Sequence, residues 1–136
     1  MNLTNWEIIL RLYQSSQNLL WTSESDYPFA VFLWELEDEI ELDIPGLLEL
    51  TQLPPDTPVT AREFDGFFSN AVTSKDWHEE EEEEEVKRYQ NLVAILRECL
   101  RDLRVYKVGE ITVDVYIVGT TPAGDWAGLS TVSIET

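Results

Sequence analysis

The sequence predicts a single domain of the α+β class. Three observations carry that prediction. Thr4 and Glu7 form a capping box ahead of apolar residues at helical spacing, and a longer helical stripe follows a run of glutamates at 79–85. Residues alternating between apolar and polar on either side of Gly109-Glu110 predict a β-hairpin. At 136 residues one domain is expected, and a chain of this size buries about two-thirds of the surface it exposes when unfolded. The apolar fraction of 43% is enough for a packed core despite the high charge.

The first helix is expected over 4–20, with Ile8, Ile9, Leu12, Tyr13, Leu19 and Leu20 on its apolar spacing. Ser15 and Ser16 weaken its last turns, because their hydroxyls compete for backbone partners. A polar loop is expected over 21–28. The unbroken apolar run at 29–34 reads as a central strand, since it is too short for an independent helix and rich in strand formers. Trp34, Leu36, Ile40 and Leu42 then alternate with acidic residues, as in an extended, half-buried segment, with a break at Asp38.

Pro45-Gly46 reads as punctuation, 47–50 as a short helix and Pro54-Pro55-Asp56 as a loop. Thr60 and Glu63 suggest a second capping box, followed by a short helix that turns Phe64, Phe67 and Phe68 inward. The long helix is expected over 77–103, with Val86, Tyr89, Leu92, Leu96, Cys99 and Leu103 on one stripe. Glutamates crowd its start, and Arg97, Arg101 and Arg104 lie toward its end, which suits the helix dipole. The hairpin pairs 105–108 with 111–118 through a two-residue turn, with Ile111, Val113, Val115 and Ile117 on one face. Residues 121–124 turn the chain into a last strand at 129–134, which leads out toward Thr136.

Nine Lys and Arg against 27 Asp and Glu give a formal charge of −18. Such a field repels phosphate backbones and anionic headgroups, so direct binding to nucleic acid or membrane is not expected. It also draws the chain toward a basic protein surface, of the kind an enzyme that grips polyanions must own. On composition alone the plainer reading, that acidity maintains solubility, comes first. One cysteine, Cys99, leaves no internal disulfide and reads as a buried apolar residue. With neither a signal-peptide pattern nor an apolar run of about 20 residues, cytoplasmic residence is expected.

Catalytic patterns are sparse. His78 is the single histidine, read as an exposed side chain, so Ser-His-Asp or Cys-His machinery is not expected. Calcium-loop spacing and phosphate-binding glycine loops are missing, and carboxylates are too abundant for any pair to be informative. No cofactor and no metal site of the chain's own is expected. The remaining candidates are contact surfaces: an acidic loop at 23–26 and a polar loop at 74–77 that ends in Trp77.

Several strings resemble the nuclease A inhibitor-like family: Ser23-Glu24-Ser25-Asp26-Tyr27-Pro28-Phe29, Val31-Phe32-Leu33-Trp34-Glu35, Asp76-Trp77, Asp114-Val115-Tyr116, Thr121-Pro122-Ala123-Gly124 and Glu135-Thr136. The likeness runs through nearly the whole chain, while the acidity of 38–43 and the glutamates at 79–85 depart from the family pattern. It implies a three-layer α/β/α sandwich with a largely antiparallel central sheet. It also implies a one-to-one inhibitor, not an enzyme, directed against a sugar-non-specific ββα-metal nuclease. By the same resemblance Glu24 meets arginines of the nuclease groove, Asp76 and Trp77 form a second contact loop, and Thr136 reaches the catalytic magnesium of the partner. A carboxylate imitates a phosphate for arginines, and a terminal threonine offers the hard oxygens magnesium prefers. The alternative is an acidic module, a nucleic-acid mimic, for a different basic partner; an enzyme comes third. A monomer is expected before binding.

Overall fold

The computed structural model describes residues 3–36 and 40–135. Helix α1 (Asn5–Ser16) starts at the expected capping box: the Glu7 amide donates to Thr4 Oγ1 at 3.2 Å, and the Thr4 amide donates to the Glu7 carboxylate at 3.1 Å. It stops four residues short of the expected end. The Ser15 and Ser16 hydroxyls donate to the Arg11 and Leu12 carbonyls at 2.9 and 2.7 Å, and Asn18 takes a left-handed φ of 64° that reverses the chain. The expected polar loop is instead a small hairpin of β1 (Leu20–Thr22) and β2 (Asp26–Pro28), with Thr22 opposite Asp26.

The main sheet has five strands, all paired antiparallel, in the order β3-β7-β6-β5-β4. Strand β3 (Ala30–Trp34) is an edge strand, not the central one its apolar run suggested. The run is continuous because both faces are covered: Val31 and Leu33 join one apolar cluster, Phe32 and Trp34 the other. Neither 35–36 nor 40–43 forms a strand, although Leu36, Ile40 and Leu42 pack half-buried against the second cluster. The break expected at Asp38 lies outside the described residues.

Helix α2 (Ile44–Thr51) takes in Pro45 and Gly46, which had read as punctuation. A proline fits the first turn, where its missing N–H has no partner to lose, and Asp43 caps the helix by accepting the Gly46 amide at 2.8 Å. The second expected capping box does not form, because Val59–Arg62 is strand β4 and pairs with β5. Helix α3 (Phe64–Phe68) follows without a side-chain cap and buries Phe64 and Phe68 as expected.

Helix α4 (Glu80–Cys99) is shorter than expected at both ends. Glu79 caps it through a box with Glu82, and only Arg97 occupies its last turn. Arg101 and Arg104 belong instead to β5 (Arg101–Val108), where sheet pairing overrides the helical period. A register shift between them, with Asp102 at φ 53°, absorbs the entry into the strand.

The β5–β6 hairpin is present, with β6 at Thr112–Thr120, but its connection is longer than two residues. The last pair is Val108 with Asp114, and Gly109, at φ 109°, donates its amide to Pro58 O at 3.0 Å instead of closing a tight turn. Val113, Val115 and Ile117 are buried together as expected, whereas Ile111, in the connection, is 63% exposed. Strand β7 (Trp126–Ile134) begins three residues earlier than expected. Gly128 allows this close pairing, since a Cβ there would fall 1.8 Å from Ile117 O.

Two apolar clusters hold the sheet. Ile8, Leu12, Leu92 and Leu96 from α1 and α4 pack with Val115, Ile117 and Leu129. Leu47 of α2 packs with Tyr106, Val118 and Trp126, residues alternating with those of the first cluster along the strands. Each fully buried side chain of this kind contributes about 1.5–3 kcal/mol. The fold is thus mixed α and β, with a large antiparallel sheet and four helices among the described residues. None of those helices is long and apolar enough to cross a membrane. Cys99 is buried, as its neighbours suggested.

Candidate functional site

The β1–β2 hairpin organises the candidate residues. At its tip, Ser23 Oγ donates to Ser25 O at 3.1 Å and accepts the Ile134 amide at 3.0 Å. Thr131 Oγ1 donates to Pro28 O at 2.9 Å, so the hairpin is tied to β7 at both its tip and its base. Glu24 stands exposed at this tip. The chain beyond β7 leaves beside it: the Glu135 amide donates to Ile111 O at 2.9 Å, and its carboxylate meets Lys107 Nζ at 2.7 Å. That hydrogen bond is the main reason the Glu135 carboxyl is held below its ordinary value. Thr136 itself lies outside the described residues.

The foot of the hairpin is anchored from α4. Tyr89 donates its hydroxyl to Leu20 O at 2.5 Å, and the Arg88 guanidinium donates to Gln17 O. Burial, followed by the charge of Glu85, pushes the Tyr89 hydroxyl well above the usual tyrosine value, so it stays a donor. Trp21 stacks on Phe67 with centroids 4.3 Å apart and meets Tyr89 edge-on at 6.2 Å.

Asp76 and Trp77 precede α4, both exposed, and the indole of Trp77 is 70% accessible. His78 is not the surface residue expected from its polar neighbours. Its side chain is only 8% exposed, packed nearly perpendicular to the Trp77 ring at 4.4 Å. Its Nδ1 accepts the Lys75 amide at 3.2 Å and lies 3.4 Å from Glu83. An accepting Nδ1 carries no proton, so the approach to Glu83 is not an ion pair in that state.

Trp77 and the hairpin face each other across a cleft of about 370 Å³. Trp21, Phe67 and Trp77 supply aromatic walls, Thr22 comes from β1, and Glu82 and Glu85 come from the first turns of α4. The hairpin therefore brings Glu24 together with the approach to Thr136, and through Thr22 it shares a cleft with Trp77. Sequence reasoning missed the roles of Trp21, Glu82 and Glu85, because strands of three residues are too short for period-2 patterning to reveal.

A larger cleft, of about 640 Å³, lies between β4, β5, α3 and the end of α4. Arg62, Arg97 and Arg104 line it, but so do Glu63, Asp65 and Asp102, and Arg97 is paired with Asp65 and lies over the Phe64 ring at 5.2 Å. Size favours this cleft; the positions of the candidate residues favour the other. Among the described residues no group of three His, Cys, Asp or Glu is placed to hold a metal ion.

No curated protein matches the chain. The family model described as "Nuclease A inhibitor-like protein" matches residues 6–136, nearly the full length, and so takes in every candidate residue. The chain belongs to the nuclease A inhibitor-like protein family.

Proposed function

We propose that this chain is an acidic inhibitor that binds a sugar-non-specific, magnesium-dependent endonuclease one-to-one and blocks its basic active site without catalysing a reaction. The observation that carries this reading is the hydrogen bond from the Ile134 amide to Ser23 Oγ, which ties the Glu24 tip to the chain leading into Thr136. Glu24 then acts as a phosphate substitute for arginines of the nuclease groove. Asp76 and Trp77 make a second contact, and the oxygens of Thr136 approach the partner's magnesium as hard ligands. Occupying that metal removes the group that supports phosphodiester cleavage. The net charge of −18 speeds encounter with a basic groove, an effect that salt reduces. The same reading takes the clusters on alternate strand positions as the two cores of an α/β/α layering, with α2 on the thinner side.

The test is titration of the purified protein into a magnesium-dependent nuclease of the ββα-metal class, following plasmid degradation with magnesium in excess. A sharp endpoint at equal molarity is expected, shifted to higher inhibitor concentration by Glu24→Ala and by removal of Thr136. If both changes leave the titration curve in place, the binding mode is wrong. No inhibition at all favours a different basic partner.

A further inference from the structure

Resting on the reading of a basic protein partner, we infer that the cleft between β1 and the start of α4 receives a single arginine side chain of that partner, held between aromatic walls and the carboxylates of Glu82 and Glu85. The run of seven glutamates has an ordinary explanation in the helix dipole, which favours acids in a first turn. That explanation applies to Glu80, Glu81, Glu82 and Glu83 alike, and it does not account for the surroundings of Glu82 and Glu85. These two, one turn apart, line the cleft, whereas Glu81 and Glu84 do not.

Charge within the cleft is uncompensated. No Lys or Arg lines it, although the chain has nine of them. Glu82 accepts the Glu79 amide through one oxygen, and Glu85 makes no hydrogen bond or ion pair among the described residues. Its charge reaches the cleft interior, where it acts on the Tyr89 hydroxyl. Beside these carboxylates stand Trp21 and Trp77, the second with most of its indole open to solvent.

Aromatic faces with adjacent carboxylates recognise a cation, and a planar guanidinium satisfies both at once by stacking while its N–H groups reach the acids. An ammonium meets the charge but cannot stack in the same way. The other cleft supplies the contrast: its arginines already have acids beside them, so it offers no such unmet demand.

The probe is acetyl-arginine amide, titrated against the full chain while the indole N–H signals of Trp21 and Trp77 are followed by NMR. Saturable shifts of both signals are expected. Glu82→Gln with Glu85→Gln should weaken the response by about fivefold or more, and Glu81→Gln with Glu84→Gln, which removes the same charge, by less than about twofold. Glutamine at 82 still serves the helix cap, so the first pair tests charge and not folding. Equal weakening by the two pairs, unmoved indole signals, or an equal response to acetyl-lysine amide would each overturn the assignment. A nuclease assay separates this inference from the inhibitor reading: full inhibition by the Glu82/Glu85 variant, with loss in Glu24→Ala, removes only the cleft from the interface.

Discussion

The two clefts occupy opposite ends of α4, with Glu85 and Arg97 twelve residues, or roughly 18 Å, apart along its axis. The larger one mixes three arginines with three acids and is nearly neutral. The smaller one joins aromatic rings to two carboxylates with no cation. The comparison teaches that volume is a poor guide to function in this molecule. A cleft whose charges are already matched by its own walls has little to offer a partner, whereas one whose charge is unmatched beside exposed aromatic surface gains from contact.

The sharpest way to break the comparison is to remove one charge near each cleft and measure nuclease inhibition. Glu24→Ala should cost about 2–5 kcal/mol of binding, as truncation of one partner in a buried charge pair does, while Arg104→Ala should leave the titration unchanged. A large effect from Arg104→Ala would move the interface to the other end of α4. Next in size, Tyr89→Phe removes the hydroxyl bonded to Leu20 O and should lower stability by about 0.5–1.5 kcal/mol in urea unfolding. The same substitution should flatten an alkaline loss of stability. With its folded value raised above 10.0, Tyr89 contributes stability that is fully present below that point and falls away as pH rises past it.

The smallest expected effect concerns the chain end beside Glu24. Glu135 has its carboxyl lowered below 4.5, first by the Lys107 hydrogen bond, so its contribution is present above that value and disappears as pH falls through the folded one. Lys107→Met should therefore remove a small part of the stability change measured between about pH 6 and about pH 3. The pair is partly exposed, and solvent screening keeps the effect modest.

Much of the fold was legible in the sequence where apolar periodicity ran long. The α1 start, the body of α4 and the β5–β6 pairing followed from spacing and capping alone. Reading failed where one element handed over to the next. Leu19 and Leu20 continued the helical spacing of α1, yet Leu19 is buried at 2% beyond the helix and Leu20 opens a strand. Leu103 and Arg104 likewise extended the α4 pattern into β5, because an apolar residue is equally at home in either core-facing position. At the site, family resemblance pointed to Glu24, Asp76 and Trp77, but nothing local revealed the hairpin that organises them. Its strands depend on Tyr89, Thr131 and Ile134, 69 to 111 residues away in sequence from the atoms they bind.

Hydrogen exchange of the protein, alone and bound to the nuclease, tests most directly whether the hairpin end of the molecule is the inhibitory face. Added protection at 22–26 and 75–85, with none at 101–106, is the predicted result. Protection confined to 101–106 would contradict the account.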